Sequence, residues 1–425
     1  MKGKKVSPGV RERILERLQE KGVRLPCPES VDIGSDISPD KISGDGVIIH
    51  AGCKLYGPKT LIMAGTELGY EAPATIHNCQ LGKDVKLKGG FFYESTFLEK
   101  ATMGSGAHVR EGCVIEEEAS GAHTVGLKHT VLFPYVTLGS LINFCDCLMA
   151  GGTDKKNHSE VGSSYIHFNF TPNQDKAAPS LMGDVSRGVM LNQPPIFLGG
   201  QGGLVGPVRF EFGTIAAAGS IVRKDLLRRD MMLFNQPSIS KGMPFHPGLY
   251  SNLKRIITLN TLYISNLIAL RRWYLDVRSK FVGQDKMEQA LYEGAVEKLE
   301  MAIRERLERL GEVAGRMPRS IEIYRKVTGE RFSEQTICRK QEFFDQWQDM
   351  ESTFKESLEI QGDALKRDGF LEILEKSRRE KGGGYISAVK GLKEKESNTG
   401  TSWLQGLVDE ITTRVWGLLP SFNIK

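Results

Sequence analysis

The sequence predicts a β-helix built from six-residue repeats and followed by an α-helical domain. Between residues 198 and 222, an apolar residue recurs at every sixth place, and the residue four places after it is small or β-branched. After residue 225 this register stops, and apolar residues follow helical spacing instead. A six-residue period is one of those associated with β-helices, whereas an amphipathic helix would place apolar residues three or four apart.

Each six-residue unit is expected to form one short strand and one corner, so that three units close a triangular coil. A single coil cannot bury its own faces, and several coils must therefore stack. The predicted inward residues of the last coils are Leu198, Leu204, Phe210, Ala216 and Val222. The small or β-branched residues between them are Gly202, Val208, Thr214 and Ser220.

The same period occurs upstream, which extends the predicted β-helix over residues 25–230. Apolar residues six apart recur at Met103, Val109 and Ile115, at Leu132, Leu138 and Phe144, and at Leu81 and Leu87. The pattern is irregular near residues 50–80 and again at about 150–195. An inserted loop is expected in the second of these regions.

The first residues are expected to form a helix rather than an export signal. Residues 1–5 lack the apolar core of a signal peptide, so a cytoplasmic protein is expected. Ser7 as N-cap and Pro8 at the first helical position favour a helix through about Glu20. This helix belongs to a predicted N-terminal unit of residues 1–24.

An α-helical domain is expected over residues 231–425, where apolar residues follow helical spacing. Its most apolar stretch, residues 256–270, contains polar residues and is too short to span a bilayer comfortably. We therefore expect a buried helix there and no membrane span. Long helices are expected over residues 249–281, 284–315 and 334–380, with breaks at 382–384 and 397–400 and a last helix after them.

Charge and cysteine usage argue against two classes of function. The 57 basic and 52 acidic residues give a net charge of +5 over 425 residues, a bias too small to indicate nucleic acid as the main partner. The seven cysteines are scattered, and Cys145 and Cys147 have no second pair at zinc spacing. Reduced structural thiols are expected, and no metal site is predicted.

Two glycine-rich runs close the repeat: Phe-Leu-Gly-Gly-Gln-Gly-Gly-Leu-Val-Gly-Pro-Val at 197–208, and Gly-Thr-Ile-Ala-Ala-Ala-Gly-Ser-Ile-Val at 213–222. They resemble the last coils of hexapeptide-repeat acyltransferases, most closely the acetyltransferase half of the bacterial bifunctional enzymes that make UDP-N-acetylglucosamine. In that family, a segment with a catalytic His and an Asn-Tyr-Asp-Gly loop ending in Lys precede these coils. Here residues 158–162 and 169–176 stand in the same order.

The sequence also departs from the family pattern. Val161 occupies the place of a tyrosine expected three residues after the histidine, and Phe170 replaces the tyrosine of the loop. An extra segment, residues 187–195, precedes the last coils. The glycine-rich nucleotide loop of the uridyltransferase half does not open this chain. Nucleotidyl transfer is therefore not expected of this chain.

The resemblance implies a left-handed parallel β-helix, assembly as a homotrimer, and binding of acyl-CoA between neighbouring coils. It implies an acyltransferase with acetyl-CoA or another acyl-CoA as cosubstrate. The acceptor would be a small sugar, namely an amino sugar, a sugar phosphate or a nucleotide sugar. The corner residues predicted to contact the acyl-CoA are Gly199, Gly200, Ala217 and Ala218.

The polar segment ahead of these coils suits acyl transfer. A base must remove a proton from the acceptor, and His158 is the predicted base. Asn169 is predicted to donate a hydrogen bond to the tetrahedral oxyanion. The predicted substrate-binding residues are four cations that suit a phosphorylated sugar, together with a second histidine: Lys155, Lys156, Lys176, Arg187 and His167.

Structural explanations remain open for each of these residues. His158 is equally well explained as a solvated or capping histidine, and His167 is as plausible a base. Asn169 lies close to a proline, so turn formation accounts for it without a substrate. Two other function classes also remain open. One is a non-catalytic trimeric scaffold or sugar-nucleotide-binding protein, and the other is a metal-dependent hydratase whose histidines come from adjacent subunits.

Overall fold

The computed structural model describes residues 8–234, 242 and 244–424. The predicted N-cap Ser7 and the first residues of the chain lie outside this range. The expected helix begins at Pro8 and ends at Glu20 as α1. It is followed by a parallel β-helix and then by a helical region.

The strands, numbered in chain order, form three long parallel sheets around a triangular coil. Sheet A contains β2 (Ile48–Ile49), β5 (Glu67–Leu68), β8 (Lys86–Leu87), β11 (Thr102–Met103), β14 (Ser120–Gly121), β17 (Thr137–Leu138), β22 (Glu160–Val161), β25 (Phe197–Leu198), β28 (Ile215–Ala216) and β30 (Met232–Leu233). Sheet B contains β1 (Asp32–Ile33), β3 (Lys54–Tyr56), β6 (Ala74–His77), β9 (Gly90–Tyr93), β12 (Ala107–Val109), β15 (Val125–Lys128), β18 (Ile142–Cys145), β23 (Tyr165–Phe168), β26 (Gly202–Val205) and β29 (Ile221–Val222). Sheet C contains β4 (Leu61–Ile62), β7 (Gln80–Leu81), β10 (Ser95–Phe97), β13 (Cys113–Ile115), β16 (Val131–Leu132), β19 (Cys147–Met149), β24 (Ser180–Met182) and β27 (Arg209–Phe210).

The six-residue register sets the order of these strands. Leu198, Leu204 and Phe210 lie in sheets A, B and C in turn, and Ala216 returns to sheet A directly opposite Leu198. All of them are almost completely buried, as is Val222. The prediction of a parallel β-helix followed by an α-helical region is confirmed.

The irregular stretch at about 150–195 contains three insertions at successive corners. Residues 150–159 leave sheet C, form a small antiparallel hairpin of β20 (Gly152–Asp154) and β21 (Asn157–His158), and enter sheet A. Residues 169–179 connect sheet B to sheet C. Residues 183–196 leave sheet C one coil later, contain helix α2 (Val185–Gly188), and enter sheet A. The first and third insertions therefore stack at one corner, where the Gly152 N–H donates to the Gln193 carbonyl.

The helical region packs on sheet C. Its helices are α3 (Leu253–Asp276), α4 (Lys286–Gly315), α5 (Met317–Thr328), α6 (Glu334–Asp345), α7 (Trp347–Ser357), α8 (Ala364–Glu380), α9 (Tyr385–Lys390) and α10 (Glu394–Gly417). Helix α4 contacts β7, β10 and β13, and α3 contacts β24. No helix within the described residues is long and apolar enough to cross a bilayer. Short 3-10 helices lie at Pro28–Ser30, Pro39–Lys41, Arg278–Phe281, Gly329–Arg331 and Pro420–Phe422.

Two expectations about helix boundaries are wrong. The single helix expected over 334–380 is three helices, α6, α7 and α8. The break expected at 397–400 lies inside α10. There, a Cβ on Gly400 would come within 2.6 Å of the Phe370 ring and of the Met190 side chain. Gly400 therefore permits close packing of α10 rather than ending the helix.

Candidate functional site

The structure distributes the predicted site residues over the three corners of the β-helix. The hairpin and α2 insertions, at the corner from sheet C to sheet A, contain Lys155, Lys156, His158 and Arg187. The corner from sheet B to sheet C is formed in part by His167, Asn169 and Lys176. The corner from sheet A to sheet B contains Gly199, Gly200, Ala217 and Ala218. Among the described residues, no hydrogen bond or ion pair joins one of these groups to another.

His158 lies on the hairpin with its ring held in one orientation. Its Nδ1 is 2.9 Å from the carbonyl oxygen of Lys155. Because a carbonyl only accepts, Nδ1 is the donor in this contact, so in the neutral ring Nε2 is the nitrogen that has the lone pair. Nε2 lies 3.6 Å from the Glu160 carboxylate, and 22% of the side chain is exposed. In its neutral form, His158 therefore has a proton-accepting nitrogen on a partly exposed side chain, as a general base requires.

The two lysines beside His158 differ in their surroundings. Lys155 pairs with Glu118 at 2.9 Å, and both side chains are partly exposed, so the pair adds little stability. Lys156 is exposed, and within the described residues its ammonium group forms no ion pair. Its backbone N–H donates to Asp154, which stabilises the turn of the hairpin. Lys156 is therefore the more available cation next to His158.

Arg187 is committed to contacts within the chain. Its guanidinium makes two hydrogen bonds to Glu211, at 2.8 and 2.9 Å, and further bonds to Asp184. It also lies over the Phe212 ring, 5.0 Å from the ring centre. Two carboxylates thus neutralise one guanidinium. These contacts give Arg187 a structural role, because they join the α2 insertion to Glu211 on the next coil.

His167 is enclosed at the corner between sheets B and C. Nδ1 donates to the Cys145 carbonyl at 2.6 Å, and Nε2 accepts from the Ser180 hydroxyl at 2.8 Å. Burial lowers the pKa of His167 to about 4. Both ring nitrogens are therefore occupied, and the contacts of His167 are those of a structural histidine.

The lowered pKa of His167 predicts a specific loss of stability in acid. As pH falls below about 6.5, the unfolded chain binds a proton at this ring while the folded chain does not, so stability present above pH 6.5 is lost towards pH 4. Between pH 7 and 5 this one group contributes up to about 2 kcal/mol to the loss. His167→Asn should show a correspondingly smaller change in urea unfolding free energy between these pH values. An unchanged pH dependence would contradict the buried, neutral imidazole.

Asn169 belongs to a buried polar network that the sequence does not reveal. Its side-chain N–H donates to the Asp146 carboxylate at 2.6 Å. The other oxygen of Asp146 lies 2.9 Å from Nη2 of Arg306 on α4, and the two side chains are only 4% and 1% exposed. Arg306 also donates to the Lys176 carbonyl at 2.8 Å. Helix α4 therefore closes this corner and joins two predicted site residues to a buried ion pair.

The network leaves several buried polar atoms without a hydrogen bond inside the described structure. They include Nδ1 of His129, Oδ1 of Asp146, the Tyr263 hydroxyl, and Nε and Nη2 of Arg306. Arg306 and Asp146 are thus close enough to form an ion pair, but the geometry at Nη2 and Oδ1 is not that of a hydrogen bond. Because burying these groups is costly, replacing the whole ion pair by apolar residues of similar size need not lower the stability of the fold.

The glycine corner is held by contacts between coils. The Gly199 N–H donates to the Ala216 carbonyl at 2.7 Å, and the Gly219 N–H donates to the Gly200 carbonyl at 2.9 Å. Gly199 is buried, whereas Ala218 is exposed. The outer surface of this corner is therefore formed by small residues. The close stacking of the coils is enough to explain the buried Gly199.

The metal-dependent alternative requires a set of ligand side chains close together. Among the described residues, no group of three or more His, Cys, Asp or Glu side chains is placed to hold a metal ion. The described cysteines are all free thiols, and four of them, Cys53, Cys79, Cys113 and Cys147, are buried. These four buried cysteines are thus explained as small apolar residues of the coils.

Comparison with known proteins agrees with the fold. No family model matches the chain. The bifunctional protein GlmU of Pelobacter propionicus is 27% identical over 235 residues, covering 55% of this chain and 45% of that protein. GlmU of Thermotoga petrophila is 25% identical over 236 residues, with 51% and 43% covered, and GlmU of Clostridium novyi is 26% identical over 241 residues, with 56% and 47% covered. The aligned part thus spans less than half of these relatives. The repeat, the parallel β-helix and these matches show a hexapeptide-repeat chain that resembles the GlmU proteins over about half of its own length.

Proposed function

We propose that this protein is an acyltransferase that uses acetyl-CoA or another acyl-CoA to acylate a small sugar in the cytoplasm. The acceptor class is an amino sugar, a sugar phosphate or a nucleotide sugar related to UDP-N-acetylglucosamine. Similarity to GlmU proteins over half of the chain supports the reaction class. The main support from the structure is His158, because its Nδ1 faces the Lys155 carbonyl, its Nε2 lies beside the Glu160 carboxylate, and its side chain is partly exposed.

The proposed step is a direct acyl transfer. Nε2 of His158 takes the proton from the acceptor amine or hydroxyl as that atom attacks the thioester carbonyl carbon. The tetrahedral intermediate then collapses, the carbon–sulfur bond breaks, and the imidazolium returns the proton to the sulfur of CoA. Lys156 is the nearby cation available for a phosphate of the acceptor.

The predicted acyl-CoA corner and the predicted base lie on different corners of one chain. A homotrimer is the assembly that would bring unlike corners of neighbouring chains together, so we include it in the proposal. In that arrangement, Ala217 and Ala218 of one chain would face the hairpin of its neighbour. To bind the oxyanion, Asn169 would have to give up its hydrogen bond to Asp146. We therefore assign Asn169 a smaller contribution to catalysis than His158.

Removal of the base tests this proposal. His158→Ala should lower kcat for CoA release from acetyl-CoA by at least 100-fold, because positioned bases contribute about 10² to 10⁴. The assay follows the free thiol with glucosamine 1-phosphate and other amino-sugar phosphates as acceptors. His108→Ala is the matched control, since His108 is an exposed imidazole stacked on Phe91 in sheet B. Failure of the wild-type protein to bind any acyl-CoA in calorimetry would overturn the proposal.

A non-catalytic scaffold or sugar-nucleotide-binding protein is the second candidate. It is favoured by the contacts of Asn169 and Arg187, which are satisfied within the chain. The same experiments separate the two candidates. The scaffold predicts that UDP-N-acetylglucosamine binds equally to the wild type and to His158→Ala, with no release of CoA from either.

A further inference from the structure

A cavity of about 390 Å³ lies between the start of α3, helix α6 and the C-terminal turn at Pro420–Phe422. Its charged lining residues are four cations and one carboxylate: Lys254, Arg255, Arg339, Lys340 and Asp225. The cavity belongs to the helical region and is separate from the hairpin of His158.

Within the described part of the chain, a carboxylate neutralises only one of the four cations. Arg255 pairs with Asp225 at 2.7 Å. Lys254 donates instead to the Asn423 carbonyl at 2.9 Å, and Arg339 donates to the Ser421 carbonyl at 3.0 Å. The nearby Glu342 carboxylate is bound to the N–H and hydroxyl of Ser421. In the described structure, the other three cations therefore have no ion-pair partner.

Lys340 is the unusual member of this group because it is only 1% exposed. Its ammonium group donates to the Tyr250 carbonyl at 2.7 Å and to the Ser320 hydroxyl at 2.6 Å, both neutral acceptors. Burial lowers the pKa of Lys340 to about 8, which leaves it mostly charged at neutral pH. A buried charge is costly unless an anion compensates it, and the two acceptors account for only two of the three ammonium protons.

The start of α3 adds donors to the same cavity. Asn252 is its N-cap and makes no side-chain capping bond. Within the described residues, the backbone N–H groups of Leu253, Lys254 and Arg255 have no acceptor. Unpaired first-turn N–H groups and the helix dipole favour an anion at this end of a helix.

We propose that this cavity binds a phosphorylated small molecule. The phosphate would lie among Lys254, Arg339 and Lys340, against the first turn of α3. Tyr250 and Phe422 also line the cavity, and both side chains are almost completely buried. A doubly charged phosphate or diphosphate suits three unneutralised cations better than a single carboxylate does. The finite volume favours a small molecule over a polymer.

Calorimetry with pyrophosphate, inorganic phosphate and glucosamine 1-phosphate tests this site. The paired variant Lys254→Gln/Arg339→Gln should weaken pyrophosphate binding at least tenfold and lower the Tm without ligand only slightly. Lys254 is exposed and Arg339 is partly exposed, and each loses a hydrogen bond to the C-terminal turn. Lys326→Gln/Arg331→Gln removes the same charge from exposed positions outside the cavity and should bind as the wild type does. Tighter binding of the sugar phosphate than of inorganic phosphate would identify an organic ligand, and the reverse order would identify the free anion.

Two outcomes would overturn the site. One is no binding of any of the three probes to the wild-type protein at moderate ionic strength. The other is an equal loss of affinity in both paired variants, which would indicate nonspecific attraction by net charge. Binding should persist in His158→Ala, so the test is independent of the proposed acyl transfer.

Discussion

Replacing Arg306 by methionine is expected to lower the free energy of unfolding by about 3–5 kcal/mol. The guanidinium is 1% exposed and lies 2.9 Å from the buried Asp146 carboxylate. Methionine fills similar space without charge, so it leaves the carboxylate buried with only the hydrogen bond from Asn169. The Lys176 carbonyl loses its donor in the same variant. Urea unfolding followed by tryptophan fluorescence measures the change.

Two further variants separate charge from packing. Arg304→Met makes the same replacement on the exposed side of α4 and should change stability by less than about 0.5 kcal/mol. Asp146→Leu/Arg306→Met removes both charges and should recover most of the loss, because a buried pair is often no more stable than apolar residues of similar size. If Arg306→Met is as stable as Arg304→Met, the ion pair does not fasten α4 to the β-helix.

The other ion pairs along α4 explain why Arg306 is the decisive one. Lys59 and Lys83 of the β-helix pair with Glu297 and Glu288, but these lysines are about half exposed, and such pairs contribute about 0–1 kcal/mol. Further along, the buried Lys298 pairs with Glu94 at 3.1 Å. The ion pairs that join α4 to the β-helix are therefore more deeply buried towards Asp146 than at the exposed start of the helix.

The β-helix was predictable because its determinants are local in the sequence. Each strand is only two to four residues long, so one apolar residue per six, such as Leu198 or Phe210, decides which positions face inward. The helical region was harder to predict because the spacing of apolar residues indicates which face of a helix is buried more clearly than where the helix begins and ends. Helix α5 was missed, although Pro318 in its first turn is an ordinary start signal.

The candidate site was less predictable because its contacts are distant in sequence. His158 and Lys155 are close neighbours, and their pairing follows from a tight hairpin. Asp146 could have been noticed as the residue between Cys145 and Cys147 at a corner, where its φ is +59°. Nothing local, however, shows that Arg306 pairs with it from α4. The predicted roles of His158, Asn169 and the lysines therefore stay predictions.

Gly199→Ala is expected to lower the free energy of unfolding by about 3 kcal/mol, at the upper end of the usual cost of overpacking. A Cβ at Gly199 would lie 2.3 Å from the backbone nitrogen of Ala218 and 2.6 Å from the carbonyl carbon of Ala217. Both are backbone atoms of the next coil, and neighbouring strands are only about 4.8 Å apart. The methyl group must therefore push the coils apart and strain the Gly199–Ala216 hydrogen bond.

Gly126→Ala is the matched control for this substitution. Gly126 lies in β15 of the same β-helix, and a Cβ there would be 3.6 Å from its nearest neighbour, an ordinary contact. Its substitution should change stability by no more than about 0.5 kcal/mol. Equal stability of the two variants in urea unfolding would mean that the last coils are spaced more widely than this corner requires. A different result is that Gly199→Ala keeps its fold at low temperature and yet loses affinity for acyl-CoA. That result would support the binding role proposed for this corner, because a role in coil stacking predicts a loss of stability and no loss of affinity.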